Sequence, residues 1–186
     1  MSAFTESFIQ HLQGLAGRDR GAMAALRRSL GFEPGAYPPA YPAVERFAAQ
    51  GPDSEAQRQA LYLCAGLFAL HPVHASGRPL AGALGQAMQQ RGSDSIEKRF
   101  IALLASEPES LPNHLRQIVS LLAADQLPID YAELLADLGR LLRRWNEEQR
   151  DHVRQRWART FYRAVEQLQA GATEASAPDN AQDPAD

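Results

Sequence analysis

Apolar residues recur along this chain with a period of roughly 3.6 positions, and they rarely alternate every second residue as a half-buried strand requires. Phe4, Phe8, Ile9, Leu12 and Leu15 fall at helical spacing and predict a first helix over residues 5–15, with Gly17 ending the approach to the next. Met23, Leu26 and Leu30 form the stripe of a second helix over 19–30, which stops at Gly31. A proline-rich crossing follows, from Glu33-Pro34 to Tyr41-Pro42, whose prolines exclude a long helix and favour extended or turn geometry. Tyr37, Tyr41 and Phe47 read as anchors that pin this crossing to the body, in preference to a polyproline ligand.

From Asp53 a longer helix carries Ala60, Leu61, Cys64, Leu67 and Phe68, and His71-Pro72 closes it. Another spans 77–91 and ends at Gly92; Ser93 or Asp94 then caps the next, with Glu97 placed three residues after Asp94 as in a capping box. Amphipathic helices over 111–123 and 130–144 are divided by Pro128, and a last one over 147–169 carries Val153, Trp157, Phe161, Ala164 and Leu168. Short joins between about seven to nine such helices predict an all-α fold, a compact bundle forming one domain over residues 1–170. Scarce Val, Ile and Thr beside abundant Ala, Leu, Gln, Glu and Arg point the same way.

Composition changes the picture at the C-terminus. The formal charge is −3, yet residues 171–186 carry Glu174, Asp179, Asp183 and Asp186 with no base, so the body without them is slightly basic. That stretch lacks apolar periodicity and predicts a disordered acidic tail, which either competes with nucleic acid for a basic surface or only solubilises the chain. The N-terminal residues do not resemble a secretory signal, and no apolar run reaches the length of a membrane span. Cys64, the single cysteine, is expected as a buried small hydrophobe in a reducing cytoplasm.

Catalytic and metal chemistry find little support. His71-Pro72-Val73-His74 is the nearest approach to a metal motif, but His11, His114 and His152 lie in separate helices and no ligand set converges, so neither a metal nor another cofactor is expected. Residues 77–85 are glycine-rich without the lysine or the preceding strand of a phosphate loop, and no strained nucleophile turn is signalled. Glu147-Glu148 sits at a helix start, where the dipole explains it. The chain is not expected to be an enzyme.

The cations carry more information. Lys98 is the only lysine, and Arg140, Arg143, Arg144, Arg150, Arg154, Arg156, Arg159 and Arg163 crowd one late segment. Guanidinium is permanently charged and forks onto phosphate, although an Arg-rich, Lys-poor composition also arises from coding bias. On a helical wheel Arg140, Arg143 and Arg144 oppose the leucines at 134, 135, 138, 141 and 142, making a basic solvent-facing stripe. Arg28 points away from its helix's apolar stripe, whereas Arg27, Arg99, Arg116 and Arg150 flank theirs and look into grooves between packed helices. Two explanations stand level. The flank arginines lay their stems on the core edge and pair with Glu97, Glu133 or Asp137, or they line one groove that tracks a nucleic-acid backbone. Trp145 and Trp157 are expected in the core rather than stacked on bases.

The segments Arg20-Gly21-Ala22-Met23-Ala24-Ala25-Leu26-Arg27-Arg28, Lys98-Arg99-Phe100-Ile101-Ala102-Leu103-Leu104, Leu111-Pro112-Asn113-His114-Leu115-Arg116-Gln117, Leu127-Pro128-Ile129-Asp130-Tyr131 and Trp157-Ala158-Arg159-Thr160-Phe161-Tyr162 form an ordered set. Taken together over residues 4–163, it resembles the CasB family, small subunits of the type I-E CRISPR surveillance complex Cascade. The resemblance implies a non-enzymatic helical subunit, present as a pair, docked on the Cascade backbone and large subunits. It also implies contact with the R-loop of crRNA and target DNA, including the displaced single strand, through basic positions that fall on Arg27, Arg99, Arg116 and Arg150. Arg143 and Arg144 extend that surface on the wheel argument. Ala105-Ser106-Glu107-Pro108-Glu109 and Glu147-Glu148 are acidic where relatives can be basic, and narrow it. The rival expectation is a helical scaffold whose arginines dock acidic protein surfaces. A helix-turn-helix regulator is a third, against which the dispersal of the arginines argues.

Overall fold

The computed structural model describes residues 3–49 and 54–175. Among these the chain forms nine α-helices: α1 (Ala3–Arg18), α2 (Arg20–Ser29), α3 (Tyr41–Ala48), α4 (Glu55–Leu70), α5 (Leu80–Arg91), α6 (Ser95–Leu104), α7 (Leu111–Ala124), α8 (Tyr131–Leu141) and α9 (Glu147–Ala175). The expected all-α bundle is therefore present. Ser54 opens α4 by accepting the Gln57 amide at 3.1 Å, and every residue from Ala60 to Ala69 is buried. A helix apolar on all sides must lie at the centre. Helices α2, α3, α7 and α8 surround it, and α1 covers α2 and α8. Helices α5 and α9 form a second, tightly apposed pair, with α6 bridging α5 and α7. Gly85 permits that approach: a Cβ there would lie 2.7 Å from the Phe161 carbonyl oxygen.

The loop after α4 is fastened to the segment before α8. His71 Nε2 lies 2.7 Å from the Leu127 carbonyl, Tyr131 Oη donates to the His71 carbonyl at 2.7 Å, and the Tyr131 amide donates to His74 Nδ1 at 3.2 Å. Both imidazoles of the His71–His74 motif are thus engaged with the backbone or ring of residues 127–131. Among the described residues no three His, Cys, Asp or Glu side chains converge as metal ligands. Asp130 caps α8 through the Ala132 and Glu133 amides, both at 3.1 Å, and its other oxygen accepts the Gly77 amide at 2.8 Å. Cys64 is wholly buried, which pushes its thiol pKa up and keeps it a packed apolar group.

Helices α8 and α9 are joined through a buried carboxylate. Asp137, 1% exposed, accepts the Trp157 indole N–H at 2.7 Å and an Arg140 N–H at 3.2 Å, and Arg156 Nη2 donates to it as well. Burial raises the neighbouring Glu133 carboxyl above its ordinary pKa, and the Asp137 charge adds to the rise. Trp157 lies in the core as expected, whereas among the described residues Asp137 and Glu133 pair with Arg140 and Arg156 and not with the flank arginines Arg27, Arg99, Arg116 and Arg150. Glu97 instead accepts the Tyr162 hydroxyl at 2.8 Å.

Several local expectations are corrected. Helix α3 forms at the end of the proline crossing, in a stretch for which no helix was predicted, because Pro42 stands in the first turn, where its fixed φ suits a helix and its missing N–H costs nothing. The Asp94 side chain makes no capping bond; Ser93 and Ser95 hydroxyls pair with each other at 2.8 Å. Helix α8 ends at Leu141, short of residue 144, since Asn146 leaves helical continuity to cap α9 through the Gln149 amide at 3.1 Å. Arg143 and Arg144 consequently lie on a turn, off the helical stripe. Trp145, on the same turn, is 78% exposed and outside the core. Helix α9 continues through Gly171 to Ala175, since one glycine costs only about 1 kcal/mol and Ala172, Glu174 and Ala175 tolerate a helix. The rest of the acidic tail, 176–186, lies outside the described residues.

Asp137→Ala strips the indole, Arg140 and Arg156 of their common acceptor and is expected to destabilise the fold by about 3 kcal/mol. Thermal denaturation followed by circular dichroism should show Tm lowered by roughly 6–12 °C. Asp137→Asn, which keeps an acceptor for the indole, should fall between.

Candidate nucleic-acid interface

Two of the candidate arginines meet. Arg116, on the exposed side of α7, and Arg144, on the turn after α8, line one open cleft of about 410 Å³. Its remaining wall comes from the loop after α2 (Gly31, Phe32, Glu33 and Pro34), from Gln59 of α4, and from Pro108, Glu109, Pro112 and Asn113 around the start of α7. Leu30 and Leu142 complete the lining. Pro112 stands in the first turn of α7, just after the Pro108–Glu109 corner that lines the cleft.

The charges in this cleft nearly balance. Arg144 Nη2 lies 3.1 Å from Glu109 Oε1, both side chains being well exposed, and Glu33 is a second exposed carboxylate on the wall. Arg116 makes no ion pair or hydrogen bond with another side chain among the described residues. An exposed pair such as Arg144–Glu109 is worth under about 1 kcal/mol and is readily exchanged for a better anion.

The other candidates are dispersed. Arg27, exposed at the end of α2, donates from Nε (3.1 Å) and Nη2 (2.8 Å) to the Ala69 carbonyl, one of the orphan acceptors in the last turn of α4. Arg99 is exposed on α6, and Arg143 is half-buried on the turn after α8. Arg150 is only 7% exposed: Nη1 donates to the Arg144 carbonyl at 3.2 Å, while Nε has no hydrogen-bond partner among the described residues. It therefore braces from below the turn that carries Arg143, Arg144 and Trp145. Arg154 is likewise engaged internally, with the Ser106 carbonyl at 2.8 Å and Asp151 at 3.0 Å.

Pattern reasoning missed two features. Phe32, 53% exposed, lines the cleft beside Arg116 and Arg144; its position just past Gly31, off the stripe of α2, was the available signal. Trp145 belongs to no apolar stripe once α8 is seen to stop at Leu141, and only the helix boundary could have revealed that.

No helix among the described residues is long and apolar enough to cross a membrane. The family model described as CRISPR-associated protein Cse2 matches residues 22–162. A protein named CRISPR-associated protein Cse2 from Thermus thermophilus is 46% identical over 162 residues, covering 86% of this chain and 90% of its own length. In solved structures, CasB of M. ruber superposes with a TM-score of 0.75 at 34% identity, over 91% of this chain and 98% of its own. A chain from a structure described as a CRISPR RNA-guided surveillance complex gives 0.75 at 26% identity, over 91% and 97%. With most of the helical body matched in sequence and in fold, the chain belongs to the Cse2 (CasB) family of CRISPR-associated proteins.

Proposed function

We propose that this protein is the non-catalytic small subunit of a type I-E Cascade effector in the cytoplasm, where it stabilises the crRNA-guided R-loop during antiviral defence. In this reading it sits as one of a pair against the backbone and large subunits, and its basic positions hold the heteroduplex region and the displaced DNA strand by their phosphates. The supporting observation is the convergence of Arg116 and Arg144, from different elements, on one open cleft in a chain whose structural relatives include a component of an RNA-guided surveillance complex. Guanidinium groups that neutralise phosphates release counterions without reading bases, which suits a subunit that must accept any target sequence.

The candidate arginines divide by geometry. Arg99, Arg116, Arg143 and Arg144 stand where phosphate can reach them. Arg27 keeps part of its fork exposed while Nε and Nη2 hold the end of α4. Arg150 acts as a positioning residue for the Arg143–Trp145 turn. The second reading, a helical scaffold docking acidic protein surfaces, draws on Trp145 at 78% exposure and Ile101 at 47%, rings and chains that a protein neighbour would cover.

Binding of the full chain to a labelled single strand across a salt series tests the phosphate reading. Arg116→Ala should weaken binding and flatten the log K against log salt slope by about 0.7, with Tm unchanged. Glu109→Gln, which releases Arg144, should strengthen binding and steepen the slope by a similar amount, whereas under the scaffold reading strand affinity ignores both changes. Arg150→Ala should lower stability by about 1–3 kcal/mol in thermal melts, against about 1 kcal/mol for Arg27→Ala. Equal melts for Arg150→Ala and wild type would remove its bracing role.

A further inference from the structure

Phe32 is a large apolar ring left 53% exposed, although burial of such a ring is favourable. One face is taken. The half-buried Tyr37 ring stacks on it with centroids 4.7 Å apart and planes 23° from parallel. The pair is a two-ring stack whose inner member is set in the body and whose outer member lines the cleft of Arg116 and Arg144.

The loop that presents it is fastened at both ends. The Phe32 amide donates to the Ser29 carbonyl at 3.0 Å and the Ala36 amide to Glu33 at 2.9 Å. Gly35, at φ +88°, is gripped from beneath: Tyr41 Oη donates to its carbonyl at 3.1 Å, and a Cβ on it would lie 2.5 Å from Arg58 Nη1. Arg58 is in turn held by Glu45 at 2.6 Å and lies over the Tyr62 ring at 5.0 Å. A ring held this way loses little conformational freedom when a ligand stacks on it.

A flat, fixed aromatic face beside an unpaired guanidinium suits a flat aromatic ligand carrying an adjoining anion. Bases in a duplex are already stacked on both faces, so only an unpaired nucleotide offers one. The near balance of charge on the cleft wall strengthens this assignment, because with Glu33 and Glu109 opposing Arg116 and Arg144 phosphate attraction alone is weak there. Stacking does not depend on charge. We infer that Phe32, backed by Tyr37, is a stacking platform for one unpaired base of a single-stranded nucleic acid, with the adjoining phosphate against Arg116. This rests on the nucleic-acid reading above and adds to it a preference for unpaired bases at this cleft.

The test uses the full chain and a short deoxyadenosine strand containing a fluorescent adenine analogue whose emission is quenched by stacking, beside the same strand with abasic sites and its duplex. Wild type should quench the analogue and prefer the intact strand to both others. Phe32→Ala and Phe32→Leu should lose the quenching and about fivefold to a hundredfold in affinity, with the salt slope unchanged, and should bind the abasic strand as wild type does. Phe32→Trp, which restores a ring, should recover both, separating loss of stacking from loss of folding. If Phe32→Ala and Phe32→Leu bind and quench like wild type while Arg116→Ala is weak, the platform is wrong and the phosphate reading stands. Loss confined to Trp145→Ala, or a Phe32→Ala defect seen only in assembly with protein subunits, also overturns it. No strand binding by wild type at any salt overturns the platform and direct binding by the subunit together.

Discussion

The candidate surface depends on how Asp137 is satisfied. A carboxylate at 1% exposure must be paired and hydrogen-bonded, or its desolvation would cost several kcal/mol. Here the indole N–H of Trp157, Arg140 and Arg156 supply the donors, and that demand fixes α9 against α8 in rotation as well as in distance. Rotation is what matters for the surface. With Trp157 turned inward, Val153 and Phe161 follow it into the core at helical spacing, and Arg150 arrives beneath the turn that leads into the helix.

The same principle sorts the arginines. A guanidinium carries five N–H donors and no acceptor, so wherever helix ends leave carbonyls unpaired an arginine at a helix flank can take them. Arg27 does so at Ala69, Arg150 at Arg144 and Arg154 at Ser106. These side chains look identical on a helical wheel to those that face solvent. Of the flank arginines, Arg27 and Arg150 are therefore held on backbone carbonyls and not on carboxylates, while Arg99 and Arg116 stay exposed. Arg144 illustrates the intermediate case: it lines the cleft and has an exchangeable exposed partner in Glu109.

Where the reading along the chain went astray, a competing interaction acted at a boundary. Pro42 helped to start a short helix that the reading had not predicted, although its exclusion of a long helix stands, because a proline's effect depends on its place in the first turn. Asn146 took the cap of α9 and so ended α8 early, which moved Arg143 and Arg144 from a helical face onto a turn and left Trp145 in solvent. The stripes through Leu12, Leu26, Leu67, Leu122 and Leu138 needed no such correction, since burial of a whole face is decided by many residues at once.

The sequence by itself determined the class of the protein: the number and order of its long helices, the buried Cys64 and Trp157, and, through an ordered set of segments, its family. It did so because helical periodicity and apolar burial are averaged over many positions, so no single contact can reverse them. Only the tertiary structure decided which arginines are spent on carbonyls and which remain free, which two share a cleft, and that Phe32 stacks on Tyr37 at its edge. Those outcomes turn on one or two hydrogen bonds between residues far apart in the chain, and spacing within a single helix carries no information about partners on another.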